Sequence, residues 1–363
     1  MAERTERLMS LLPEAVGEQA VDGALITSPA NRLYLTGMET SAGYVLVTRR
    51  EAYFIVDFRY YEAACKQVSH CKVVEFSKIG EMLKELARQE GLKGILLEYE
   101  GISLSSAQQM ETIFHAAGAR VVKDRTLDRL LHQMRRIKEP GELREMNTAQ
   151  EITDAAFSHI LAKIKEGITE RELALEIEFF MRRNGAESVS FDLIVVSGKN
   201  GSLPHGVPEE KPVEKGDFIT MDIGAVYHHY CSDMTRTVAL GQVTDEQKQV
   251  YETVLKAQLA ALAAIGPGKS CKEVDAAARD LITQAGYGRC FGHATSHSVG
   301  LEIHEEPRCG PSSPDILEPG VVMTVEPGIY LPDRFGVRIE DMVVITENGY
   351  QNFTKSSKEL ILL

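Results

Sequence analysis

Glu214-Lys-Gly-Asp-Phe-Ile-Thr-Met-Asp222-Ile-Gly224 is matched, 104 positions further on, by Glu318-Pro-Gly-Val-Val-Met-Thr-Val-Glu326-Pro-Gly328. The offset holds at both acids, 214 to 318 and 222 to 326. Each copy is followed by a second acid on a second apolar segment: Asp233 in Cys231-Ser-Asp-Met-Thr-Arg-Thr-Val238, and Glu340 in Val337-Arg-Ile-Glu-Asp-Met-Val-Val344. As strands, the first copy puts Thr220 and Asp222 on one face and Ile219, Met221 and Ile223 on the other. The second puts Thr324 and Glu326 opposite Val321, Met323 and Val325. A lone acid in a strand normally faces solvent, and an ordinary acidic outer face is the plain alternative. The matched Thr-x-acid phase argues against it. Two copies of one hairpin bring four carboxylates around one point, and such charges do not coexist in a dry site without cations between them. The pattern predicts a metal site, with two metals.

The duplication extends outward. Gly167-Ile-Thr-Glu-Arg-Glu-Leu173 opens a helix ending near Gly185, and Gly268-Lys-Ser-Cys-Lys-Glu-Val274 opens one ending near Gly286. Thr169 to Glu172 and Ser270 to Glu273 have capping-box spacing. A strand-rich stretch ending in a histidine follows in each half, at His205 and at His304, and then the acidic pattern. Residues from about 140 to 363 therefore read as two copies of a helix–helix–strand–hairpin unit, with a cleft expected on the pseudo-twofold axis.

Ahead of them the chain alternates strand candidates (23–27, 43–48, 52–57, 73–76, 94–98, 120–122) with helical periodicity (62–67, 81–89, 105–117), as in a compact α/β domain with a mixed sheet. The boundary falls in Leu131-His-Gln-Met-Arg-Arg-Ile-Lys-Glu-Pro-Gly141, where Pro140 can open the long helical pattern 142–165. The reading is α+β: a smaller α/β domain, 1–130, before a duplicated domain, 131–363.

The chain of 363 residues is 44% hydrophobic and 26% charged, ordinary for a globular protein of two domains. Its net charge of −13 argues against nucleic acid or an anionic membrane as partner. No apolar run approaches the ~20 residues that span a bilayer. Met1-Ala-Glu-Arg-Thr-Glu-Arg7 leads into an acidic amphipathic stretch unlike a signal peptide. Six cysteines without C-x-x-C spacing read as reduced thiols, so a cytoplasmic location is expected.

Phe291-Gly-His-Ala-Thr-Ser-His-Ser-Val-Gly-Leu-Glu-Ile-His-Glu-Glu-Pro307 gathers His293, His297 and His304 from a chain that has ten histidines. A lone histidine is more often structural than ligating; a cluster between glycines just before an acidic strand favours a site. One histidine with four carboxylates is a hard, oxygen-rich set that suits Mn²⁺ and tolerates Co²⁺ or Zn²⁺.

Taken together, the sequence resembles the pita-bread metallopeptidases of the Xaa-Pro dipeptidase and aminopeptidase P group. Asn31-Arg-Leu-Tyr-Leu-Thr-Gly37, Ser41-Ala-Gly43 and Asp57-Phe-Arg-Tyr60 are similar to that group's creatinase/prolidase-type N-terminal domain. Leu203-Pro-His-Gly206, Met221-Asp-Ile-Gly224, Ser232-Asp-Met-Thr-Arg-Thr237, Leu301-Glu-Ile-His-Glu305, Val325-Glu-Pro-Gly-Ile-Tyr330 and Val337-Arg-Ile-Glu-Asp341 resemble its metal and catalytic motifs in order. The resemblance implies that Asp222 chelates one metal with both oxygens, that Asp233 and Glu340 bridge two metals, and that His297 and Glu326 bind the other. It implies that His205 and His304 contact the substrate and its developing oxyanion, that His293 lines the same pocket, and that Glu326 also shuttles a proton. It implies hydrolysis of the Xaa-Pro bond of dipeptides or short peptides, with Xaa-Pro aminopeptidase activity on longer peptides as the alternative. A homodimer is the expected assembly. Creatinase-like amidinohydrolases lack the intact ligand set, methionine aminopeptidases usually lack a domain like residues 1–125, and a binding-only module would show degraded ligands. One departure stands out: members of the group often carry Gly on both sides of the metal histidine, where this chain has Ser296 and Ser298. That touches the local backbone shape and the fit of the substrate.

Overall fold

The computed structural model describes residues 2–363; Met1, with which the opening acidic stretch begins, lies outside the described residues. The chain divides into two compact units, the first closing at Arg135 and the second running Arg136–Leu363.

The first unit is built on a six-stranded mixed sheet in the order Lys72–Glu75, Ala52–Val56, Tyr44–Thr48, Gly23–Ile26, Gly94–Leu97, Arg120–Val122. The central strands carry continuous apolar runs because both faces are covered. The helix expected from residue 62 starts earlier, at Phe58, because Asp57 caps it by accepting the Arg59 N–H at 3.0 Å.

In the second unit the duplication takes physical form. Helices Pro140–Leu161 and Glu170–Arg183 precede a sheet of Ile194–Ser197, Phe218–Ile223 and Met234–Ala239. Helices Asp245–Ala264 and Cys271–Gln284 precede a sheet in the order Glu305–Cys309, Ser296–Ser298, Val322–Val325, Asp341–Thr346, Gly349–Asn352. Both expected capping boxes are formed, at Thr169/Glu172 and Ser270/Glu273.

The acidic strands keep their expected phase. Ile219, Met221 and Ile223 bury into one core with Ile177 and Met181, and Val321, Met323 and Val325 into another with Val254 and Val274. Thr220 and Thr324 on the opposite face are buried as well, so that face looks into the protein rather than into solvent.

The simple hairpins do not appear. Each acidic strand pairs antiparallel with its return strand, Asp222 opposite Thr235 and Val325 opposite Asp341, but a smaller hairpin is inserted between them: Ala225–Tyr227 with Tyr230–Cys231, and Gly328–Leu331 with Phe335–Arg338. The insertions let Asp233 and Glu340 sit just ahead of the return strands, at the mouth of each sheet. The halves meet there, where the Glu340 N–H donates to Thr235 O at 3.1 Å.

Candidate metal centre

Asp222, Asp233, His297, Glu326 and Glu340 all line one cavity of about 620 Å³. His205, His293 and His304 line it too, so every expected site residue converges there. Ligand-capable atoms of Asp233, His297 and Glu340 lie within 4.8 Å of one another. His297 Nε2 is 3.5 Å from Asp233 Oδ2 and 3.4 Å from Glu326 Oε1. Two atoms each about 2.1 Å from a shared cation in tetrahedral array stand roughly 3.4 Å apart, so this spacing suits ligands of one ion.

Local contacts aim the histidine. His297 Nδ1 is 3.1 Å from Ser298 O, a contact that places the proton on Nδ1 and leaves the Nε2 lone pair facing the acids. Ser296 and Ser298 are buried in the strand that holds it; the Ser298 hydroxyl donates to Val322 O, and a bulge falls between His297 and Ser298. The backbone at the serines is thus an inner strand of the sheet, paired with Glu305–Cys309 on one side and Val322–Val325 on the other, with one irregularity.

The acids crowd one another in a buried place. Burial, then Glu340 and Asp222, pushes the Asp233 carboxyl well above its ordinary value. Burial, then Glu326 and Asp222, does the same to Glu340, even though Thr235 Oγ1 donates to its Oε2 at 2.7 Å. Burial raises Glu326 to about 8. His297 is pushed down to about 3, again by burial, and is neutral. Asp222 Oδ1 is buried with no hydrogen-bond partner among the described residues. An orphaned carboxylate oxygen, three carboxyls pushed up by burial and one another, and an imidazole lone pair converge on one point. This donor set fits hard divalent cations.

Sequence reading missed the groups behind the acids. Arg338, fully buried, donates from Nη2 to Asp222 Oδ2 at 2.6 Å, from Nε to Thr235 Oγ1 at 3.0 Å, and from Nη1 to the Tyr330 hydroxyl at 2.8 Å. One oxygen of Asp222 is therefore engaged and the other open, and each carboxylate oxygen has a second lone pair to offer. Burial opposes the charge on Arg338, but Tyr330, Asp222 and Glu326 outweigh it and hold the guanidinium well above its ordinary value. Tyr330 in turn donates to His293 Nε2 at 2.9 Å, while His293 Nδ1 is 2.9 Å from Ala294 O. Burial lowers His293 to about 4 and raises Tyr330 to about 12. Arg338 stands two residues before Glu340, and that spacing within one apolar segment was the signal available in the sequence, although in the structure Arg338 ends the inserted hairpin and Glu340 precedes the return strand. Tyr330 carried no such signal.

His304 is exposed to the cavity, its ring centroid 4.6 Å from that of His297, and partial desolvation lowers its pKa. Arg308 also lines the cavity, and its one ion pair is a long contact of 3.9 Å to Glu306.

The model of metallopeptidase family M24 matches residues 144–347, and that of the creatinase/prolidase N-terminal domain matches residues 9–137.

The chain belongs to metallopeptidase family M24.

A family of metallopeptidases works with divalent metal, in keeping with the donor set described above. The solved structure of an Xaa-Pro dipeptidase from Bacillus anthracis is 43% identical, with a TM-score of 0.95 over 100% of both chains. The X-Pro aminopeptidase from Thermotoga maritima superposes at 0.89 with 36% identity, over 99% of this chain and 100% of its own. An Xaa-Pro dipeptidase of Pyrococcus furiosus is 39% identical over 99% of this chain and 100% of its own length. This M24 member therefore has the pita-bread fold behind a creatinase/prolidase-type domain, and it is a metallopeptidase. No helix among its described residues is long and apolar enough to cross a membrane.

Proposed function

We propose that this chain is an Xaa-Pro dipeptidase with two divalent metals, Mn²⁺ by preference and Co²⁺ or Zn²⁺ as substitutes, its catalytic domain spanning 131–363 and its N-terminal domain 1–130. Asp222 would hold one metal, His297 and Glu326 the other, with Asp233 and Glu340 between them. The near-complete identity of fold with an Xaa-Pro dipeptidase, together with the donor set, supports this reading. When bound, such cations lower the pKa of a shared water towards neutrality and polarise the scissile carbonyl. The residues of the chain do the rest. The imidazoles of His205 and His304 approach from the two halves and would hold the carbonyl oxygen as charge develops there. His293, tied to Tyr330, would line the same pocket. Glu326, which lines the cavity 3.4 Å from His297 Nε2, would also carry a proton to the leaving nitrogen. Proline lacks an amide N–H, and grip on the carbonyl side does not need one.

The observation that favours dipeptides over longer peptides is Arg308. Of the two guanidiniums lining the cavity, Arg338 is committed to Asp222, Thr235 and Tyr330, whereas Arg308 has, among the described residues, a single long contact to Glu306. A free guanidinium is the natural partner of the carboxylate that ends a dipeptide. The deciding assay compares Xaa-Pro with Xaa-Pro-Yaa peptides on Mn²⁺-loaded protein. Faster cleavage of Xaa-Pro, lost selectively in Arg308→Ala, is expected; faster cleavage of Xaa-Pro-Yaa makes it an Xaa-Pro aminopeptidase. Ala-Pro should also be cleaved far faster than Ala-Ala. Six free thiols support a cytoplasmic location. The expected homodimer is tested by sedimentation.

A further inference from the structure

Beneath the loop that carries His304 lies a buried ion pair. Lys138 Nζ stands 3.1 Å from Glu305 Oε2, with the two side chains 1% and 7% exposed. Lysine is almost never this buried without a partner, and desolvating two charges is a poor route to stability by itself. The surroundings suggest what else the pair does. The other oxygen, Glu305 Oε1, accepts the Glu302 N–H at 3.2 Å. A Cβ at Gly300 would meet that carboxylate at 2.5 Å, so the acid fills space that only glycine leaves free. Gly300 donates to Glu302 O at 3.0 Å and accepts from Cys231 N at 2.9 Å. The segment 300–305 is thus folded around the Glu305 carboxylate, and His304 is the residue before it. On the other side, the Lys138 N–H donates to Gly320 O at 2.9 Å, which anchors the base of the lysine.

We infer that Lys138 is a positioning residue: through Glu305 it sets the loop 300–305 and so holds the His304 imidazole where it faces the cavity beside His297. The inference rests on the reading of His304 as a substrate-side group. A loop freed by loss of the ammonium would let the ring drift, and misplacement by about 1 Å can cost up to about 100-fold in rate.

The test compares K138M, K138R, G300A and H304A, and the double variant K138M/H304A, in Mn²⁺-loaded protein, with bound metal and circular dichroism measured on each. K138M should lower kcat by roughly 10- to 100-fold while KM and metal content stay within about twofold. K138R, which keeps the charge, should recover most of the rate. K138M/H304A should be no slower than H304A alone, because both changes act through one ring. G300A displaces the carboxylate without removing a charge; it should reproduce the kcat loss and carries the test if K138M does not fold. Wild-type kcat in folded, metal-loaded K138M or G300A overturns the inference, as do K138M and H304A losses that multiply. An H304A variant with full activity would instead overturn the underlying reading of His304.

Discussion

Removing the metals should turn the site into a store of protons. In the metal-free protein burial raises Glu326 from its ordinary 4.5 to about 8, and it raises Asp233 and Glu340 as well. At pH 7 a group of pKa about 8 is about 90% protonated, whereas in the unfolded chain it is ionised. At this carboxyl the folded metal-free state therefore binds more protons than the unfolded state, and the stability the group contributes is greatest at low pH and falls as pH rises. For Glu326 the window runs from 4.5 to about 8 at about 1.4 kcal/mol per pH unit, or about 5 kcal/mol across it. Asp233 and Glu340 act in the same direction. Metal must displace these protons, so affinity should climb about tenfold per pH unit for each proton released. His297, at about 3, is already neutral and releases none. Calorimetric titration of chelator-stripped protein with Mn²⁺ at pH 7, in buffers of different ionisation enthalpy, counts the protons. At least about one should leave per loaded chain, and Glu326→Gln should lower the count by about one. The Tm of stripped protein should fall between pH 7 and 8, above the range in which the neutral His293 and His297 oppose the carboxyls, with a smaller fall in Glu326→Gln. No proton release, with a flat or rising Tm for the stripped protein, would refute the reasoning.

Other changes separate the roles. Asp233→Asn or Glu340→Gln, at the positions proposed to lie between two cations, should lose both metals together by elemental analysis, with collapse of turnover. His205→Ala should keep near-normal metal content while kcat falls by about 10²-fold, as expected of a group on the substrate side; loss of metal there would overturn the division of roles. Arg338→Met leaves Asp222 Oδ2 without its buried partner, and breaking such a pair costs about 3–5 kcal/mol. The metal-free variant should therefore melt well below metal-free wild type, with a smaller deficit once Mn²⁺ is bound.

Much of this protein follows from its sequence because the controlling physics is local. Strand alternation alone sends Asp222 and Glu326 one way and their apolar neighbours the other, and the matched spacing of the two copies predicts equivalent places for them, which line one cavity. Hydroxyl-x-x-Glu spacing closes the caps at Thr169 and Ser270 because both partners lie within one helical turn. Other features required tertiary structure. The inserted hairpins that carry Asp233 and Glu340 to the mouth of the sheets depend on how long excursions pack, which periodicity does not encode. Arg338 reaches Asp222 across 116 positions of chain, and Lys138 reaches Glu305 across 167. Spacing from Glu340 hints at the face Arg338 takes, but neither cation names its partner in the sequence. Only the fold removes water from around each cation, and the loss of water is what makes a remote carboxylate its necessary partner.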